Sequence, residues 1–319
     1  MENKTGRKIT IIGAGSVGAT IAYSLSQRSH ASEILLIDVN EKKASGEALD
    51  IAQATSFRDP IRVVDGTYED AKGSDIVIIT SGIARKPGQT RLDLTKTNVG
   101  IIKSIAPQIA KVAPDALYVL VSNPVDILTY VFMKESGIPE NQILGTGTAL
   151  DSARLKCILA EKLNIAQKNV HSYVFGEHGD TSFIPWSACR ISGVQFDEYV
   201  KLANDMKLGV EPIDKDEIYT YVQKSGGTII ADKGATFYGI AASVMNIITM
   251  LTSAYDACTC CSTMMHGEYG IDDVCLSMIT IIGPNGVKGR VPMPLTDEEV
   301  AKMQKSAQAM KDLIAQLEL

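Results

Sequence analysis

The chain has 319 residues, enough for one large or two medium domains around a well-buried core. A hydrophobic fraction of 45% with 6% aromatics suits a globular α/β protein, and a net charge of −6 excludes a nucleic-acid or anionic-membrane surface as the main partner. Six cysteines in so long a chain, behind a polar and charged residue 1–8 segment without an apolar signal core, exclude a disulfide scaffold and point to a soluble, cytoplasmic protein.

Residues 8–12 read as a short apolar strand, followed by Gly13, Ala14, Gly15, Ser16, Val17 and Gly18 and an amphipathic helix to about residue 29. A glycine pattern of this kind says little alone. Here a strand precedes it, a helix follows, and a second strand at 33–37 ends in Asp38, which is the context a dinucleotide site requires. Gly13, Gly15 and Gly18 allow a tight turn and close approach to a pyrophosphate, which the helix N-terminus stabilises. Asp38 lies 20 residues beyond Gly18, where its carboxylate can accept hydrogen bonds from ribose hydroxyls and would repel a 2′-phosphate. NAD is therefore expected rather than NADP; a structural βαβ turn without ligand is the alternative.

A helix over 41–54 and strands at 62–65, 75–80 and 116–121 continue the alternation. The fold class is α/β, a Rossmann-type doubly wound parallel sheet with ligands at the strand C-termini. Two of those ends are polar, Ser81-Gly82 and Ser122-Asn123-Pro124. The glycine-containing loop at 83–91 carries Arg85, Lys86 and Arg91, which suits either a lid closing over an anionic ligand or a solvated basic loop.

A helix starting near Thr148 bears Asp151 and Arg154 at i, i+3 on one face. As a plain helix pair they would contribute roughly 0.2–0.5 kcal/mol. As functional groups, the guanidinium can clamp a carboxylate in two-pronged fashion, and the aspartate can orient a histidine and favour its protonated form. An apolar, strand-like run at 170–175 then leads into Gly176-Glu177-His178-Gly179-Asp180. With only four histidines in the chain, one set between glycines can turn its ring into a cavity. Beyond it, strands are expected at 186–191, 258–265 and 278–282, with charged helices at 196–207, 215–226 and 297–317. This second, α+β half has no repeat or linker before it, so the boundary falls at 1–148 and 149–319 with a tight interface between halves. Residues 234–255 carry no formal charge, yet Thr236, Tyr238, Ser243 and Asn246 make a buried helix a better reading than a membrane span. Cys258-Thr259-Cys260-Cys261 lacks a second cysteine pair at ligand spacing and reads as core strand, so no metal is expected.

Taken together, Gly13 to Gly18, the 85–94 loop, Ser122-Asn123-Pro124-Val125-Asp126, Leu150-Asp151-Ser152-Ala153-Arg154 and Gly176-Glu177-His178-Gly179-Asp180 resemble the L-lactate/malate dehydrogenase family over nearly the full length, above all its bacterial L-lactate members. The resemblance implies that His178 exchanges the proton, Asp151 orients it, Arg154 grips the substrate carboxylate and Arg91 polarises the carbonyl. Asn123 would bond near the reacting centre and Thr236 line the pocket. Further NAD contacts implied are Val17, Lys43, Tyr68, Gly82, Ile83, Ser104, Val121, Ser122 and Thr146. A homotetramer acting on a small 2-oxo or 2-hydroxy acid, with no nucleic-acid or membrane partner, is implied as well. In oxidation neutral His178 would take the hydroxyl proton while hydride passes to the nicotinamide. A non-catalytic NAD-binding regulator would have no use for His178, Asp151, Arg154 and Arg91 together.

Two departures bear on specificity and control. Lactate enzymes of the family carry Gln six residues before the catalytic arginine, malate enzymes Arg; this chain has Arg85 there. Oxaloacetate reduction is therefore expected beside pyruvate reduction. Allosteric relatives pair an Arg with a His to hold fructose 1,6-bisphosphate; here His171 is matched by Lys156, which keeps the charge and loses the planar fork.

Overall fold

A computed structural model of the chain describes residues 6–28, 30–57, 61–83 and 91–317. Arg85 and the side chain of Arg91 lie outside the described part. Six strands run parallel: β1 (Lys8–Ile12), β2 (Glu33–Ile37), β3 (Arg62–Asp65), β4 (Ile76–Ile79), β5 (Leu117–Leu120) and β6 (Ile143–Gly145). Their spatial order is β3-β2-β1-β4-β5-β6, so the direction of winding reverses between β1 and β4 and opens a crevice at the strand C-termini.

The four inner strands are apolar on both faces because helices cover both. Ile12, Leu35, Ile37, Val77, Ile79, Tyr118 and Leu120 point to one core. That face is closed by α3 (Arg91–Val112), α4 (Val125–Ser136) and α9 (Asp297–Ile314). The alternate residues Ile9, Ile11, Ile34, Leu36, Ile76, Ile78 and Val119 face the other core. There α1 (Ser16–Ser26), α2 (Glu41–Ala54) and α8 (Tyr238–Leu251) lie over them. The uncharged 234–255 stretch is thus explained: α8 belongs by sequence to the second half and covers the sheet of the first. At 14 residues it is about 21 Å long, short of a bilayer core. Among the described residues no helix is long and apolar enough to cross a membrane.

The second half adds β10 (Ala257–His266), β11 (Asp272–Gly283) and β12 (Gly286–Arg290) antiparallel to the same sheet, with Ser262 of β10 opposite Gly145 of β6. The result is one nine-stranded sheet running through both halves. A third core forms where α5 (Ala149–Lys162) and α7 (Lys215–Lys233) meet a small sheet of β7 (Val170–His171), β8 (Arg190–Ile191) and β9 (Val194–Gln195), with α6 (Phe196–Asp205) alongside.

Two expected strands are shorter than their apolar content suggests. Of 170–175, only Val170 and His171 pair in the small sheet; Phe175 then bridges Phe183, and Gly176 bridges Ser277. Residues 186–191 open as a 3₁₀ turn, Trp186–Ala188, with the strand confined to Arg190–Ile191. Pro185 starts that turn and has no N–H for a ladder, while Trp186 packs tilted against Phe196, ring centroids 5.0 Å apart, rather than on a pleat.

Candidate active site

The strand ends converge on one crevice. Gly13 needs its φ of +108°, and a Cβ at Gly18 would sit 1.9 Å from the Gly13 carbonyl oxygen, so α1 can approach β1 only through glycine. Nothing stands within 4 Å of the position a Gly15 Cβ would take. The loop is held from two sides: the Thr80 hydroxyl donates to Gly13 O at 2.8 Å, and the Ala14 N–H donates to Asp38 Oδ2 at 2.6 Å. Asp38 also accepts the Asn40 N–H at 2.8 Å, and Asn40 in turn caps α2.

Beside the glycine loop lies a cavity of about 790 Å³, which Val17 lines and Gly13, Gly15, Gly18 and Asp38 do not. Val17, Gly82, Ile83, Val121, Ser122, Asn123 and Thr146 line it from the parallel sheet side, and Asp151, Arg154, His178 and Thr236 from the other. The first turn of α5 places Asp151 where a helix N-terminus favours a carboxylate. Both its oxygens are engaged: Arg154 Nη1 donates to Oδ1 at 2.7 Å, and His178 Nδ1 lies 2.5 Å from Oδ2. Asp151 is buried, and burial alone would raise its proton affinity; the charges and hydrogen bonds of His178 and Arg154 hold it below its usual value. As a carboxylate it can only accept, so Nδ1 carries a proton and Nε2 is the nitrogen left for a ligand. Burial works to lower the imidazole pKa, but the charge and hydrogen bond of Asp151, with the charge of Asp126, raise it.

The His178 loop is fastened on all sides. The Phe175 and Phe183 backbones exchange hydrogen bonds of 2.8 and 3.0 Å, and Gly176 and Ser277 exchange bonds of 3.0 and 2.9 Å. Gly176 has φ +90°, and a Cβ there would meet Ser306 Oγ of α9 at 2.8 Å. Ser306 Oγ also accepts the Glu177 N–H at 2.7 Å.

Residues 7–145 match the family described as lactate/malate dehydrogenase, NAD binding domain, and residues 148–318 match its alpha/beta C-terminal domain. The chain belongs to the lactate/malate dehydrogenase family. It is 41% identical over 317 residues to the L-lactate dehydrogenase of Acetivibrio thermocellus, covering 99% of both chains. Among solved structures it is similar to the minor L-lactate dehydrogenase of Enterococcus mundtii, with TM-score 0.93, 37% identity and 99% and 100% of the two chains covered. It is also similar to the malate dehydrogenase of Archaeoglobus fulgidus in complex with NADH, with TM-score 0.86, 33% identity and 98% and 100% covered. The protein is an NAD-dependent dehydrogenase.

Not every residue singled out from the dehydrogenase motifs meets in the cavity. Tyr68 is half-buried against the core, and Lys43 and Ser104 are exposed on α2 and α3; none of the three lines it. Lys156 lies half-buried with its ammonium 4.9 Å from the Tyr173 ring centroid, and burial lowers its pKa; His171 is exposed on β7. Arg91 opens α3.

Other groups of the site escaped the sequence reading. Asn98 of α3 accepts the Ile83 N–H at 2.9 Å and donates to Asn123 O at 2.8 Å, tying the ends of β4 and β5 together. Its position on a helix facing two strand ends was the only signal. Gly226 and Gly227 of α7 also line the cavity; a Cβ on Gly226 would come 3.3 Å from Arg154 Nη2, so α7 lies close over that guanidinium.

Proposed function

We propose that this dehydrogenase interconverts a small 2-oxo acid and its L-2-hydroxy acid, pyruvate and L-lactate first, in the cavity between the glycine loop and His178. The observation that carries this reading is the Arg154–Asp151–His178 chain, with bonds of 2.7 and 2.5 Å, on the wall of a cavity that Val17 of the glycine loop also lines. Bound NAD supplies the hydride acceptor, or as NADH the donor. Gly13, Gly15, Val17 and Gly18 would receive its pyrophosphate side, and Asp38 its adenosine ribose. Gly82, Ile83, Val121, Ser122 and Thr146 would flank its nicotinamide half, with Lys43, Tyr68 and Ser104 as outlying contacts.

The chain's own residues divide the remaining work. Neutral His178 takes the hydroxyl proton at Nε2 during oxidation and returns it during reduction, while Asp151 stabilises the imidazolium without itself being protonated. Arg154 holds the substrate carboxylate, and Asn123 and Thr236 orient the rest of the molecule. Arg91 stabilises negative charge on the reacting oxygen. Residues 1–148 thus hold the cofactor and lend Arg85, Arg91 and Asn123 to the acid, while 149–319 supply His178, Asp151, Arg154 and Thr236. We further assign a cytoplasmic homotetramer; the exposed apolar Tyr23, Leu49 and Tyr238 on α1, α2 and α8 support association of copies.

Arg85 favours a second substrate. In a closed, water-poor pocket an unpaired guanidinium would cost several kcal/mol, on the order of a broken buried ion pair. Oxaloacetate brings a second carboxylate to meet it, and pyruvate only a methyl group. The test compares kcat/KM for the two oxo acids, followed through NADH absorbance, in this chain and in Arg85→Gln. The substitution is expected to move the oxaloacetate-to-pyruvate ratio at least tenfold toward pyruvate, about 1.4 kcal/mol. A ratio that stays within about twofold removes Arg85 as a reader of the substrate.

A further inference from the structure

A second carboxylate meets the His178 loop from α4. Asp126 stands in the first turn of that helix and is 3% exposed. Its Oδ2 accepts the His178 backbone N–H at 2.7 Å, and its Oδ1 accepts the Ser262 hydroxyl of β10 at 2.6 Å. One side chain therefore ties α4 to two segments that lie 52 and 136 residues from it in sequence.

Two neutral donors are thin compensation for a buried carboxylate, which ordinarily demands a cation. Among the described residues the ionisable groups around it are His178 and Glu177 of the loop, and the Cys275 thiol from β11. His178 itself is faced by Asp151 and Arg154 from α5. Arg154 is already engaged with Asp151, so among the described residues the positive charge that can answer Asp126 is the imidazolium of His178. The electrostatics agree: burial pushes the Asp126 carboxyl up to about 6, and its negative charge raises the proton affinity of His178.

We propose that Asp126 is a positioning residue for the proton relay, fixing the His178 backbone and, as an anion, helping to hold the proton on the imidazole ring. It rests on the reading of His178 as the proton-exchanging group. The carboxylates flank His178 from two directions: Asp151 holds the ring and selects its tautomer, Asp126 holds the main chain and adds charge. Protonating Asp126 weakens the hold of His178 on its proton, so the two groups titrate as a linked pair.

The experiment is a ring titration by NMR on the full-length protein labelled with ¹³C-histidine and saturated with NADH. The chain has four histidines, and a His178→Asn spectrum identifies the resonance. Asp126→Asn keeps the side-chain shape and an acceptor for the His178 N–H. It is expected to lower the His178 midpoint by about half a pH unit or more, roughly threefold in the proton dissociation constant. A merely structural anchor would leave the midpoint within about 0.2 unit, and that result, with NADH binding retained, overturns the proposal. Should Asp126→Asn fail to fold, Ser262→Ala carries the test. Loss of the hydroxyl donor raises the Asp126 proton affinity, so the acid-side inflection seen at the His178 backbone amide moves to higher pH; an inflection that does not move refutes the linkage. Reduction of a 2-oxo acid by His178→Asn is measured separately. Retained activity there would remove the proton-exchange role of His178 while leaving the effect of Asp126 on the ring measurable.

Discussion

Replacing Asp151 with Asn removes one charge and keeps the shape. Arg154 Nη1 donates to one oxygen at 2.7 Å, so the new amide must offer its carbonyl there and turn its NH₂ toward His178 Nδ1, 2.5 Å from the other oxygen in the parent. An amide N–H facing Nδ1 makes that nitrogen an acceptor and moves the ring proton to Nε2, the nitrogen that must be free to receive the hydroxyl proton. The variant also loses one hydrogen bond to a charged group, worth about 1.5–3 kcal/mol when the imidazolium forms. Together these predict a fall in kcat/KM for 2-hydroxy acid oxidation of about 10²–10⁴, or ~3–5 kcal/mol. The pH dependence carries a sign. Asp151 helps hold the His178 pKa above its ordinary 6.5, so in the parent protonated His178, and with it 2-oxo acid reduction, persists to pH above that value. Removing the charge lowers the pKa, and the alkaline limb of reduction must move to lower pH. The assay is steady-state NADH turnover in both directions across that limb, with NADH affinity measured alongside. A loss under about tenfold in oxidation with an unmoved limb would refute the tautomer argument.

Asp38→Ala should raise the NADPH-to-NADH ratio of kcat/KM at least tenfold, about 1.4 kcal/mol, because the carboxylate that repels a 2′-phosphate is gone. NADH efficiency should fall in the same variant, since Ala14 loses its acceptor at 2.6 Å; an unchanged cofactor ratio would contradict the assignment. Ser306→Ala leaves the Glu177 N–H without its 2.7 Å acceptor under α9, so thermal unfolding should show a loss of about 1–3 kcal/mol, and an unchanged Tm would show that the loop is held elsewhere. Fructose 1,6-bisphosphate should change the pyruvate KM little, because Lys156 is a half-buried point charge beside Tyr173; a tenfold drop in KM would show that Lys156 suffices.

Local chemistry by itself determined five of the six parallel strands; β6, three residues long, gave no periodicity to read. The segments at 8–12 and 33–37 read as strands and are strands, because covering helices on both faces require mainly apolar runs, ended by Gly13 and Asp38, and the edge strand at 62–65 is read from Val63 and Val64 alone. The spacing of Asp151 and Arg154 likewise placed both on one helical face, since the period of a helix is a local property. His178 was legible through its glycines. What periodicity cannot carry is pairing across long stretches of chain. Nothing near Asp126 announces Ser262, and nothing in the uncharged α8 says that it covers strands more than a hundred and fifty residues earlier. The same holds for Asn98, whose amide joins two strand ends only once both have entered the sheet. Residues 186–191 mark the opposite error: an apolar run looks like a strand until Pro185 and the packing of Trp186 on Phe196 turn it aside. Sequence determines which segments must be buried and where a backbone can turn; which buried groups meet is decided when distant segments compete for the same space, and here that competition set the surroundings of His178.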